Sequence, residues 1–274
     1  LATVYVDENP TPVVSGVTTS STSNSYIKVG DGSGDAIGGY MDWLIVNKNG
    51  AFAPGEGDDI PEELYVDGQP KPAQWQVYDG SVLPENTNGE GANLDLSSTS
   101  DDSPGEGMVK EIIDDPEITG NKILKYLHPD GKTTFRHYFA DDYTDSTFTI
   151  VARIKGELDS LYDRAFDIRW DNKAAGTRDE LRLWTHTDEV ELEKAGVTEA
   201  LGASVSEWHT YRIQVSGDVA TLYVDENPTP VVSGVTTSST SNSYIKVGDG
   251  SGDAIGGYMD WMIVDVSGAY APGE

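Results

Sequence analysis

The chain has 274 residues and no cysteine, which excludes disulfides, thiolate metal sites and a cysteine nucleophile. With 47 acidic against 18 basic residues, net −29, its surface repels nucleic-acid phosphates and anionic membranes. No apolar run approaches the length of a bilayer-crossing helix, so no membrane span is expected.

From the N-terminus, the first feature is a repeat. Residues 1–56 align with 219–274, with 49 of 56 positions identical, and residues 7–43 equal 225–261 letter for letter. The offset has the size of a whole domain, far longer than a solenoid turn. Two readings stand. Residues 1–56 are the C-terminal quarter of a preceding repeat in a tandem array, or they are a strand-donating segment that completes a neighbouring chain. The Pro- and Gly-rich acidic stretch 57–73 reads as a junction, and residues 74–274 as one complete repeat.

Within that repeat, "WQVYDGSVLPE" (75–85) predicts a strand and turn, and 86–107 a polar loop region around a short strand. "FTIVARIKG" (148–156) alternates Phe148, Ile150, Ala152 and Ile154 against Thr149, Val151, Arg153 and Lys155. "FDIRWD" (166–171), "ELRLWTH" (180–186) and "VELEKAG" (190–196) alternate in the same way. "WHTYRIQVSGDVATLYVDENP" (208–228) predicts a hairpin around Ser216, Gly217 and Asp218, and "SYIKVGDG" and "GGYMDWMIVD" the last two strands. Period-two alternation fixes which face meets the core. With 30 Gly and 13 Pro between such runs, the pattern points to an all-β sandwich or barrel.

The run "EWHTYRIQV", a tight turn, "LYVDENPTP", a "VGDG" strand end and a closing "GGYMDWMIV" resembles the concanavalin A-like, laminin-G-like jelly-roll superfamily. Trp208, His209, Tyr211 and Arg212 match its first strand, and Tyr223, Val224 and Asp225 its hairpin; Glu226 stands where Gly is commoner. The resemblance implies a two-sheet antiparallel jelly-roll sandwich, with a partial second copy at the N-terminus. It does not choose a function, since that fold carries lectins, glucanases, lyases and adhesive repeats.

For catalysis, the glucanase E-x-D-x-x-E pattern has its nearest counterpart in Glu191 and Glu193, without the central Asp. Jelly-roll alginate lyases offer a second comparison, through "RDELR" (178–182) and "YIKVG" (244–248). Arg178, Arg182, Lys246 and Tyr244 would fill the roles of carboxylate neutraliser and proton carrier, but no Q-x-H stretch lies between them and Gly250 replaces the usual Tyr. The expectation is therefore no enzyme and no catalytic residue.

For binding, all seven Arg lie between 136 and 212. Arg153, Arg169, Arg182 and Arg212, with Trp184, His137 and His186, are candidates for one exposed glycan-binding sheet face, since Arg forks grip carboxylate or sulfate. The same arginines would equally serve as cross-strand partners of Glu180, Asp167, Asp171 and Glu191.

Structural calcium is the cofactor expectation. Asp249 and Asp253 sit in the Gly-rich "GDGSGD" loop, where they either offer oxygen ligands or shape a turn. The resemblance implies a calcium ligand on the final strand, which is Asp260, and Asp42 in the first copy. Taken together, the expectation is a structural or adhesive repeat of an extracellular or cell-surface protein in a saline setting, forming filaments and binding acidic polysaccharide. The partners would be neighbouring copies and glycans, with no nucleic acid. The alternative is a carbohydrate-binding accessory module or a polysaccharide lyase of a secreted protein.

Overall fold

The computed structural model describes residues 75–272 apart from 90–92, 140–145 and 251, together with four short strands within residues 1–74. By contacts the chain divides into two units, Leu1–Lys71 and Pro72–Glu274. In the first, β1 (Ala2–Val4) pairs with β2 (Val14–Val17), and β3 (Tyr65–Val66) with β4 (Gln69–Pro70), both antiparallel. Asp42 lies outside the described residues.

The second unit is all-β. In chain order its strands are β5 (Trp75–Tyr78), β6 (Ser98–Pro104), β7 (Val109–Asp114), β8 (Lys122–His128), β9 (Gly131–Tyr138), β10 (Thr147–Gly156), β11 (Arg164–Asn172) and β12 (Thr177–Trp184). They continue as β13 (Glu189–Leu192), β14 (Val197–Ala200), β15 (His209–Ser216), β16 (Val219–Val224), β17 (Val232–Val235), β18 (Tyr244–Asp249) and β19 (Ile255–Asp265). Hydrogen bonding sorts them into two layers. One is a seven-stranded antiparallel sheet in the order β14-β13-β12-β11-β18-β9-β6. The other runs β17-β16-β15-β10-β19; β8 and β5 then share the far edge of β19, with β7 beyond β8. A single parallel pair, Arg164 with Ile255, joins the two layers at a seam.

One apolar core lies between the layers. Phe166, Ile168, Trp170 and Leu181 meet Ile150, Ala152, Ile213 and Met262, all within about 1% of full burial. Burial of each large side chain here contributes about 1.5–3 kcal/mol. The alternation foreseen for 148–156 and 166–171 is the alternation observed, and that foreseen for 180–186 holds as far as Trp184, where β12 ends. The architecture is the β-sandwich of the jelly-roll class.

Three local features differ from the sequence reading. The stretch 190–196 is strand only to Leu192, and Glu193 begins a turn into β14. The region 86–107 holds a seven-residue strand, β6, on the edge of the first layer. The hairpin residue Glu226 also has an explanation. Asp225 and Glu226 both take left-handed φ, 52° and 53°, and the Asn227 N–H donates to the Val224 carbonyl. Non-glycine residues there are strained. Both are held by their side chains: Asp225 accepts from the Thr210 N–H and sits 2.7 Å from His209 Nδ1, and Glu226 grips the buried Arg212 guanidinium through both oxygens.

Candidate functional site

The outward face of the seven-stranded layer is built by alternation. On β11 the odd residues Asp167, Arg169 and Asp171 point away from the core, as do Glu180 and Arg182 on β12, Tyr244 and Lys246 on β18, and Arg136 and Tyr138 on β9. Register then sets the rows that cross these strands. One row reads Ser98, Arg136, Lys246, Arg169, Glu180, each directly opposite the next. Its neighbours read Tyr138, Tyr244, Asp171, Arg178 and Thr134, Gly248, Asp167, Arg182, Glu191.

The first row places three cations side by side on adjacent strands, about 4.8 Å apart. Like charges directly opposite each other destabilise a sheet. Here aromatic rings and carboxylates from the adjoining rows offset the repulsion. The Tyr244 ring has the Arg136 guanidinium at 4.9 Å and Lys246 Nζ at 5.6 Å from its centroid. Arg169 makes a two-pronged contact with the buried Asp171, at 2.7 and 3.0 Å. Burial pushes the Tyr244 phenol up, and Asp171 adds to the rise. Tyr138, by contrast, is 52% exposed and accepts a hydrogen bond from Arg136 Nη1 at 3.2 Å, which lowers its phenol below the ordinary range.

Beside the cationic row is a pit of about 20 Å³ lined by Thr134, Asp167, Glu180, Lys246 and Gly248, room for about one water. Gly248 is required there. Its φ is +121°, and a Cβ would meet the Thr133 carbonyl oxygen at 2.6 Å. Asp167 is 3% exposed, accepts from Arg164 Nη1 at 2.7 Å, and its Oδ2 has no hydrogen-bond partner among the described residues. Burial pushes its carboxyl well above the usual range, against the pull of Arg164 and with the help of Glu180.

The structure divides the arginine set proposed from sequence. Arg169, Arg182 and Trp184 share this face. Arg182 is ringed by Glu180, Glu191 and Glu193 at 2.8–3.9 Å, and Trp184 Nε1 donates to Glu191. Arg153 and Arg212 belong to the other layer. Arg212 is wholly buried against Glu226, and Arg153 lies between the Trp208 ring at 4.5 Å and the Asp260 carboxylate. His137 points inward, packing edge-on against Phe139, because it alternates with Arg136. His186 is in the turn after β12, 3.3 Å from Asp163. Sequence reasoning missed Arg136 and Tyr138. The signal was present in "TTFRHYF" (133–139), whose alternation marks a strand with Phe135 and His137 inside.

The described calcium candidates, Asp249, Asp253 and Asp260, each have partners within the chain. Asp260 is the extra residue of a bulge in β19, opposite Arg153 and Ile154, so it faces outward beside Trp261. Its two oxygens accept from Arg153 Nη1 and Asn121 Nδ2. Asp253 pairs with Arg164 Nη2, while the buried Asp249 accepts from the Gly252 N–H and lies 3.4 Å from His128. Among the described residues no group of three or more acidic or histidine side chains is placed to hold a metal ion. Also among them, no helix is long and apolar enough to cross a membrane.

No protein-family model and no curated protein matches the sequence. Solved structures do resemble it. One is a carbohydrate esterase, vb_24B_21, from the Shiga toxin-encoding bacteriophage phi24B, with 15% identity over 69% of this chain and 96% of that one, TM-score 0.48. Another is a glycosidic hydrolase, with 16% identity over 72% and 98%, TM-score 0.42. A third is the carbohydrate-binding module CBM66 from Bacillus subtilis, with 16% identity over 58% and 92%, TM-score 0.34. The likeness is one of fold. The expectation that the chain is not an enzyme is corrected by these findings: the similar structures include an esterase and a hydrolase as well as a binding module.

Proposed function

We propose that this chain recognises acidic polysaccharide through the outward face of its seven-stranded layer, as a repeat domain of an extracellular protein. The observation that carries the reading is the row Arg136, Lys246, Arg169, three cations in direct register on adjacent strands of a chain with net charge −29. A polysaccharide lying across the strands would bring carboxylate or sulfate to Arg136 and Arg169, with the buried Lys246 adding its charge between them, and Tyr138 offers an exposed ring for a sugar to stack on. Repeated along a chain, such faces gain avidity without any new contact, which fits an adhesive or filament-forming protein. Isothermal titration with alginate- and heparin-type chains, beside a neutral glucan, tests the reading. Binding of the acidic chains that weakens steeply with salt and falls about tenfold in Lys246→Ala supports it. Equal binding of the neutral glucan overturns it.

Tyr138 favours a second reading on the same face, β-elimination from a uronate. A lowered phenol beside cations is suited to take the proton next to a carboxylate that those cations neutralise. Unsaturated uronate absorbance that appears with the parent chain and disappears in Tyr138→Phe would establish it. No absorbance change with any uronate polymer removes it.

A further inference from the structure

Residues 219–274 close the sandwich. They supply β16 to β19, and among these β18 is paired on both edges within the seven-stranded layer and β19 on both edges within the other. Ten of their side chains lie in the apolar core. Residues 1–56 repeat eight of the ten unchanged, and place Val4 for Leu222 and Leu44 for Met262, both apolar.

The charged partners are repeated as well. Asp225, Glu226, Asp253 and Asp260 hold His209, Arg212, Arg164 and Arg153 of the remaining body. Their counterparts Asp7, Glu8, Asp35 and Asp42 are the same residue types. In the described part of the first copy Val4 faces Val14 as Leu222 faces Val232, while Ala2 faces Val17, one residue beyond the counterpart of the Ala220–Gly234 pair, across an irregularity. Four of the seven differences, Asn47, Lys48, Asn49 and Phe52, fall beyond the position of the last core residue, Val264.

We propose that residues 1–56 are a strand-exchange segment, able to take the place of residues 219–274 in the body of a second copy of this repeat. Everything the body's slot would select for is present twice in the chain: the apolar side chains, the carboxylates that meet three buried or half-buried arginines and His209, and the hairpin. Exchange of identical elements is a low-cost route to assembly, and edge pairing supplies the backbone hydrogen bonds. Because β19 is paired on both edges, exchange takes place as the body folds rather than from the closed domain.

The absence of native cysteine makes a cross-linking test clean. Gln214 on β15 lies opposite Thr221, whose counterpart in the first copy is Thr3. The full-length Thr3→Cys/Gln214→Cys variant, unfolded, refolded at rising concentration and oxidised, should give disulfide-linked dimers and ladders that grow with concentration. Leu1→Cys/Ser216→Cys repeats the test at a second register pair, Ser216 opposite Val219. Thr221→Cys/Gln214→Cys should close within one chain and reports that the body folds. Adding Ile27→Lys, the counterpart of the core residue Ile245, should cut the cross-linked fraction at least about tenfold by placing a charge in the core. Cross-linking no greater than with Thr3→Cys/Glu207→Cys, where Glu207 is an exposed residue outside the strands, overturns the proposal. Disulfides that form only within single chains, or that survive Ile27→Lys, do so as well.

Discussion

The two outward faces of the sandwich treat charge in opposite ways. On the eight-stranded layer each cation has its own carboxylate: Arg153 with Asp260, Arg212 with Glu226, Lys155 with Glu117, Lys125 with Glu111. Between them is an apolar cleft of about 260 Å³ lined by Trp208, Tyr258, Ile113 and Ile123. On the seven-stranded layer three cations stand next to one another, with Glu180 at the end of their row and the other carboxylates in the adjoining rows. Isolated pairs satisfy the fold and leave little for a ligand. A row of like charges concentrates a positive field, which is the feature the proposed glycan reading rests on. The difference shows that the number of arginines on a face says less about how its charges are arranged than their register does.

The largest expected effect tests the buried partners beneath that row. Arg164 is fully buried and holds both Asp167 and Asp253 at the seam between the layers. Arg164→Ala should lose about 3–5 kcal/mol in urea unfolding, because it strands a buried carboxylate. A loss below about 1 kcal/mol would show that the seam is held by packing alone.

Next, Arg136→Ala/Lys246→Ala should weaken binding of acidic polysaccharide by about a hundredfold, the sum of two charge-assisted contacts, while Arg153→Ala leaves it unchanged. Equal losses on the two faces would erase the contrast between them. Gly248→Ala should then destabilise by about 1–3 kcal/mol through its left-handed φ and the Thr133 carbonyl, read as a lower Tm.

The smallest effect is a pH slope. Burial lowers the His137 imidazole below its ordinary 6.5, in spite of the Asp95 carbonyl beside it. Protonation is therefore harder in the folded chain than in the unfolded one. The contribution is complete above about pH 6.5 and is lost as pH falls below it, toward the folded value. His137→Gln should flatten the stability difference measured between about pH 7.5 and 5.5. An unchanged slope would assign it to other groups.

Much of this was legible in the sequence, and for a definite reason. Where a strand is buried on one face, alternation is forced, so Phe166, Ile168 and Trp170 announce the core and Arg169 announces the outside. Near the turns the signal failed. Glu193 continues the pattern of "VELEK" on paper, yet β13 ends at Leu192. The candidate face was half legible. Arg169, Arg182 and Trp184 were found by parity, but parity cannot say which of two layers a strand joins, so Arg153 and Arg212 were grouped with them.

What the sequence by itself determined is the all-β class, the parity of each strand and the duplicated closing segment, because these depend on local periodicity and on literal identity. Tertiary structure alone decided which strands are neighbours. Strands β9, β18 and β11 are far apart in the chain and adjacent in the sheet, and only their pairing brings Arg136, Lys246 and Arg169 into one row. Long-range hydrogen-bond register has no local signature in the chain, and it is register that turns three separate cations into a candidate site.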